Sequence, residues 1–350
     1  MIKENWWKIL GVILVLFGYI GGILTPLKPG LPNVYPFNGQ VNTSLDLTIE
    51  GYNTHFDQVN QQRVWLKLGE RNLAGKNIIA KSPNNLQVTF DIPKLLPTTD
   101  SVAAFTLITS NEIDGTSVLP SAVFIKQTTI DTLGAIAAWP RVSLDELSKY
   151  AGMAFPFRNI LGETIRNLIY HVPLWFAMFI MLAIGVFFSI KHLRSGNILH
   201  DHRANSLIAI SVVYGLLGCA TGSIWAKYTW GTWWTADVKL NMTAVFMLIY
   251  LAYFVLRESF PDATKKARLS SVYNIFAFAS LIPLLFVIPR LVDSLHPGNG
   301  GNPGFGGEDL DNTMRIVFYP MIIGMTLVGI WISDLRYRLA VIQDKILDKD

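Results

Sequence analysis

The sequence predicts an α-helical integral membrane protein that carries one β-rich domain outside the membrane. Three observations lead there. Of 350 residues, 51% are hydrophobic and 15% charged, against about 25% charged in ordinary soluble domains. Mean hydropathy is +0.36. Long apolar runs recur after residue 160, whereas residues 25–130 contain short stretches that alternate with period two. The single cysteine, Cys219, excludes a disulfide framework, a cysteine-rich zinc site and a C-x-x-C-H haem attachment. No G-x-x-x-x-G-K-[ST] occurs, so this is not an ATPase subunit. A scattered net charge of +4 gives no footprint for nucleic acid.

A membrane-crossing helix needs about 20 mostly apolar residues. Six segments meet this: 9–24, 171–190, 207–224, 240–256, 275–291 and 314–332, with 160–170 extending the second outward. The first has a basic start and an apolar centre, as signal peptides do, but Thr25-Pro26-Leu27 offers no small-x-small cleavage site. Residues 1–24 are therefore expected to be an uncleaved membrane anchor. Lys/Arg asymmetry sets orientation. The loop 191–203 holds three Lys/Arg with His192, His200 and His202, and 257–268 holds four Lys/Arg. The tail 336–350 adds Arg336, Arg338, Lys345 and Lys349. With these and the N-terminus in the cytoplasm, every span alternates. Residues 25–165, the loop 225–239 and the loop 292–313 then share the opposite face.

In 25–130, Leu45/Leu47/Ile49, Val64/Leu66/Leu68, Leu86/Val88/Phe90/Ile92 and Phe105/Leu107 mark half-buried strands separated by Pro, Asn and Gly clusters. This spacing predicts a small β-sandwich-like domain. Residues 131–165 are expected to be a linker with one interfacial helix over 143–150, capped by Ser143 with Asp145 and Glu146 in its first turn. Residues 166–335 form the main membrane domain. The stretch 298–307 (GNGGNPGFGG) is expected from its composition to be a flexible outer loop. His55 is expected on the β-domain surface, Cys219 in the apolar interior, and the three histidines of 191–203 in a solvated basic loop rather than a metal site.

The loop between the third and fourth spans concentrates the chemistry. Trp225, Trp230, Trp233 and Trp234, four of ten tryptophans, fall within ten residues, beside Gly231, Asp237 and Lys239. An interfacial aromatic belt fits this composition. So does a stacking platform for a flat aromatic ligand. His171 opens the second span at its outer end, and His296 lies just past the outer end of the fifth. A lone membrane-edge histidine is ordinarily an interfacial residue. Two at one depth, flanking the tryptophans, suit the axial ligation of a non-covalent haem (haem b) by neutral imidazoles. Arg166 and Lys239 are placed to pair with its propionates, or to snorkel to the headgroups.

The loop W-G-T-W-W-x-x-D-x-K-L resembles the tryptophan-rich WWD signature of the haem-handling family of cytochrome c maturation, which includes CcmC and CcsA types. R-x-x-x-x-H-V-P-x-W resembles the segment with the first family histidine, mapping onto His171, and S-L-H-P the segment with the second, mapping onto His296. The resemblance covers about residues 155–335. It is closer to CcmC, because CcsA types usually carry two further histidines inside their spans. The family usually has Trp-Asp-Ala-Arg where this chain reads Ala236-Asp237-Val238-Lys239, so one indole is missing and a planar guanidinium is replaced by a point charge.

The resemblance implies a six-span haem-handling bundle in a bacterial inner membrane, with the N-terminal domain and the haem site on the periplasmic side. It implies His171 and His296 as axial ligands of the haem iron. Trp225, Trp230, Gly231, Trp233, Trp234 and Asp237 would form the platform, and Arg166 and Lys239 would bind the propionates. Expected partners are a periplasmic haem chaperone (CcmE-like), an ABC-type haem release complex and membrane lipids. The resemblance does not reach residues 1–150, where docking of a partner and docking of an apocytochrome c are the alternatives. The function implied is haem delivery rather than turnover; the alternative is a CcsA-type synthase subunit, a haem lyase component presenting haem directly to apocytochrome thiols.

Overall fold

A computed structural model describes residues 2–141, 147–296 and 310–347. The first apolar run becomes α1 (Ile2–Leu24). The alternating region then folds into nine strands among the described residues: β1 (Gly30–Tyr35), β2 (Asn38–Gln40), β3 (Ser44–Tyr52), β4 (Arg63–Leu68), β5 (Arg71–Ala74), β6 (Lys76–Ser82), β7 (Asn85–Asp91), β8 (Val102–Asn111) and β9 (Gly115–Lys126). They form two sheets, in the orders β1-β3-β7-β6 and β2-β9-β8-β4-β5. Register follows the alternation: Leu45 pairs with Phe90, Leu47 with Val88 and Ile49 with Leu86, all buried. Phe105 and Leu107 of β8 join them in one core. Since β2 pairs with β9 in parallel, the second sheet is mixed. The expected sandwich is corrected to a mixed two-sheet domain.

That domain extends past residue 130. Asp131 caps the short α2 (Thr132–Ala135), accepting from the Gly134 N–H at 2.9 Å. Trp139 is fully buried, stacks on Phe105 at 5.1 Å and donates its indole N–H to the Leu95 carbonyl at 2.9 Å. Residues 131–141, expected in the linker, thus fold onto the β core, because a tryptophan gains more from burial than a linker allows. Of the expected helix over 143–150, residues 142–146 lie outside the described ones, and 147–150 have no regular structure. The expected outer loop 298–307 also lies outside the described residues. His55 is half-exposed as expected, its Nδ1 2.9 Å from the buried Asp114 carboxylate.

The remaining helices are α3 (Asn167–Ser195), entered through a 3-10 turn Gly162–Arg166, then α4 (Ile198–Trp230), α5 (Val238–Glu258), α6 (Ala263–Ala279), α7 (Ile288–Leu291) and α8 (Asn312–Leu347). A π-helical turn, Ile282–Val287, joins α6 to α7 around Pro283, which has no N–H to continue the α ladder. Residues 25–163 make one compact unit; 1–24 with 164–350 make the other. Within the second, α1 lies against α8 so closely that a Cβ on Gly18 would meet Met321 Sδ at 2.4 Å. Tyr19 stacks on Tyr170 of α3 at 5.2 Å.

Six helices are long and apolar enough to cross a membrane, α1 included, and the chain is a multi-pass membrane protein. The expectation of six spans beside an anchor is corrected: α1 is a packed member of the bundle, and five spans follow the β domain. The expected tail from 336 continues α8.

The expected solvated loop 191–203 is also corrected. α3 stops at Gly196 and Asn197 caps α4, accepting from the Leu199 N–H at 2.9 Å. His192 is buried and donates from Nδ1 to the Asn197 carbonyl at 3.0 Å. His202 Nε2 lies 2.5 Å from Asp344. Among the described residues no three His, Cys, Asp or Glu are grouped to hold a metal ion.

Candidate functional site

By connectivity, the start of α3, the end of α4, the start of α5 and the chain leaving α7 lie at one end of the bundle. His171 and His296 are both there, each fixed through its Nδ1.

His171 sits one turn into α3. Thr221 Oγ1 directs its own hydrogen to the Leu217 and Gly218 carbonyls, at 2.9 and 3.1 Å, and so accepts from His171 Nδ1 at 3.0 Å. An indole N–H can only donate. Trp175, one turn further along α3, donates to His171 Nε2 at 3.2 Å. The two contacts agree on one tautomer, with the proton on Nδ1 and the lone pair on Nε2. The ring has room because α4 is bare opposite it. A Cβ on Gly222 would stand 2.8 Å from His171 Cε1, and one on Gly218 2.7 Å from Trp175 Cε2. Trp225 completes this face of α4, edge-on to His171 at 6.1 Å, with its N–H donated to Thr164 Oγ1 at 3.3 Å.

His296 is held by Asp237. Asp237 is the N-cap of α5: Oδ1 accepts from the Lys239 and Leu240 N–H groups at 2.9 and 3.4 Å. Its Oδ2 takes the Leu295 N–H at 2.8 Å, and Oδ1 lies 3.2 Å from His296 Nδ1. Burial alone would raise the Asp237 carboxyl. The N–H of Leu295, the Ser294 hydroxyl, the His296 charge and the N–H of Lys239 together hold it below the usual carboxylate range. Burial pushes His296 down to about 4, the Lys239 ammonium adds to that, and Asp237 opposes both. The imidazole is therefore neutral at physiological pH. Trp230 meets it edge-on at 5.0 Å.

Trp225 and Trp230 lie on the last turns of α4 rather than in the expected loop. The helix stops one residue later, at Gly231, whose φ of +78° only glycine adopts without strain. Lys227 Nζ donates to its carbonyl at 3.1 Å. Gly231 and Asp237, expected in the platform, serve instead as helix stop and helix cap. Trp233 and Trp234 are 58% and 41% exposed, and Trp234 donates to Asn241 Oδ1 at 3.4 Å. The four indoles thus divide: one beside each histidine and two facing outward. Lys239, in the first turn of α5, is close enough for its charge to act on both imidazoles. Arg166 donates from Nη1 to the Gly22 carbonyl at 2.8 Å, tying α3 to the end of α1.

Trp175 closes the motif around His171 without a role of its own there, and Thr221, Gly218 and Gly222 stand outside every motif. The signal for them is the Gly218-x-x-x-Gly222 spacing, which marks close helix approach in membranes.

The fold and this site define a class: a multi-pass helical membrane protein with paired histidines and tryptophans gathered at one end of its bundle. Residues 125–349, more than half the chain, match the family model of CcmC, heme exporter protein C. The chain belongs to the heme exporter protein C family. It is 27% identical over 187 residues to the heme exporter protein C of Bradyrhizobium diazoefficiens, covering 53% of this chain and 68% of that one. It is 23% identical over 201 residues to that of Haemophilus influenzae, covering 55% and 78%, and 23% identical over 181 residues to that of Escherichia coli K12, covering 51% and 70%.

Proposed function

We propose that the protein binds haem as cargo between His171 and His296 and exports it for cytochrome c maturation, delivering it to a periplasmic haem chaperone together with an ABC-type release complex. Haem b is held without covalent attachment. The observation that carries this reading is the matched pair of imidazoles, each engaged through Nδ1, by Thr221 and by Asp237. An engaged Nδ1 fixes ring orientation and assigns Nε2 to a metal, the arrangement usual for metal-binding histidines. The indole edges of Trp225 and Trp230, one beside each ring, suit a flat macrocycle. Lys239 and Arg166 supply cations for the propionates, and the outward Trp233 and Trp234 the exposed part of the platform.

The Lys/Arg-rich ends of α3, α5, α6 and α8 lie opposite the histidines. By the positive-inside rule the site then faces away from the cytoplasm, which in a bacterial inner membrane is the periplasmic side. The β-rich domain, on the same side, is the docking surface for a partner such as apocytochrome c.

The test is the absorption spectrum and pyridine haemochrome of detergent-purified protein beside His171→Ala/His296→Ala. A b-type spectrum in the wild type, lost in the double variant, is the expected result. Full haem in the double variant would overturn the ligand assignment.

A further inference from the structure

We infer that Trp175 is a positioning residue that competes with the haem iron for His171, setting how readily the cargo is released. The inference rests on the proposed role of His171. Its basis is the single lone pair on that ring. With Nδ1–H donated to Thr221 Oγ1 at 3.0 Å, Nε2 is the one nitrogen able to ligate iron, and the Trp175 N–H occupies it at 3.2 Å. Ligation therefore exchanges one internal hydrogen bond for the iron bond, and release restores the hydrogen bond. The exchange needs little movement. Trp175 lies four residues from His171 on the same helix face, and the indole sits where Gly218 leaves α4 bare. His296 differs: among the described residues its Nε2 has no partner, and its Nδ1 faces a full carboxylate. A carboxylate partner makes an imidazole a stronger ligand than a hydroxyl does. The two ligands are thus unequal, with His171 the one that is internally capped. A site that passes its cargo on needs such a ligand, since two uncapped imidazoles would hold haem against hand-over.

A bland reading is that His171 merely satisfies a buried indole N–H. Two conservative variants separate the readings, because they act on opposite sides of one ring. Trp175→Phe keeps an aromatic ring and removes the competing donor. Thr221→Val removes the acceptor that holds the tautomer. In full-length protein loaded with ferric haem, Trp175→Phe is expected to slow haem loss to excess apomyoglobin about 2- to 10-fold, the range that one net hydrogen bond corresponds to. It should also raise the six-coordinate low-spin fraction in the absorption spectrum. Thr221→Val is expected to speed haem loss. Structural damage would move both variants the same way.

In the haem-free protein, site-resolved diethyl pyrocarbonate labelling should modify His171 faster in Trp175→Phe than in wild type. His171→Ala is the control. If it retains wild-type haem affinity, the ligand reading falls and this inference with it. If it loses haem while Trp175→Phe matches wild type in release, spectrum and labelling, the inference alone is overturned.

Discussion

A single carboxylate does two jobs at the site. Asp237 caps α5 and, through the same side chain, fixes Leu295 and His296. Asparagine caps helices about as well as aspartate, so Asp237→Asn isolates the second job. The variant should fold with α5 intact and bind haem about 10- to 100-fold more weakly, the usual loss when the group behind a metal-binding histidine is changed. Equilibrium haem titration measures it, and unchanged affinity would show that the His296 contact is incidental. The same contact predicts a pH profile in the haem-free protein. His296 has a native pKa of about 4, below the value near 6.5 of an unperturbed imidazole. Between these values the unfolded chain binds more protons, so stability rises with pH there. The contribution of this ring is complete above about 6.5 and is lost as pH falls towards 4. An NMR titration of labelled histidine should show the His296 ring with a midpoint near 4. Asp237→Asn should move it lower, since Asp237 opposes the burial effect.

At the scale of elements, α4 carries the first half of the site on one face: Gly218, Thr221, Gly222 and Trp225. Gly222→Ala tests how tightly α3 and α4 approach. The added Cβ would meet His171 Cε1 at 2.8 Å, and overpacking of this kind costs about 1–3 kcal/mol. Thermal unfolding in detergent should show that loss, with a perturbed haem spectrum. Gly231→Ala, at a position with nothing within 4 Å of the added Cβ, should lower stability by the conformational cost alone, about 1–2 kcal/mol, and leave the spectrum unchanged.

These helices also show what a sequence pattern does and does not carry. The apolar runs locate all six spans, because crossing a bilayer demands length and composition that local pattern records directly. The end of α4 is not legible: dense tryptophans read as a loop, whereas Gly231 sets the stop. In the β domain, β3, β7 and the first half of β8 are legible because one face of each is buried and the other is not. β4 is legible through Val64, Leu66 and Leu68, although Trp65 between them is buried too. β6 leaves both faces largely open, and β2 is three polar residues paired through main chain alone, so neither alternates. His171 and His296 are legible as a pair at one end of the bundle. Their Nδ1 partners depend on side-chain packing between helices, which no spacing specifies.

At the scale of the whole molecule, the chain divides its labour between two compact units, and the family match begins at residue 125, after most of the β strands. Trp139 shows how the first unit is closed. Its ring lies on Phe105, its indole N–H on the Leu95 carbonyl, and Arg71 donates to the Trp139 carbonyl. All of these partners belong to residues 25–163. Trp139→Ala should therefore remove about 3–5 kcal/mol from this unit, a large fraction of the roughly 5–15 kcal/mol that holds an ordinary domain. Because among the described residues the partners of Trp139 all lie within 25–163, the haem spectrum should persist while limited proteolysis cuts within 25–163. Haem retention without transfer to the acceptor chaperone would assign docking to the β domain and cargo binding to the helices. Loss of haem together with proteolytic sensitivity would mean that the two units share one stability, and that the β domain maintains the site as well as receiving its partner.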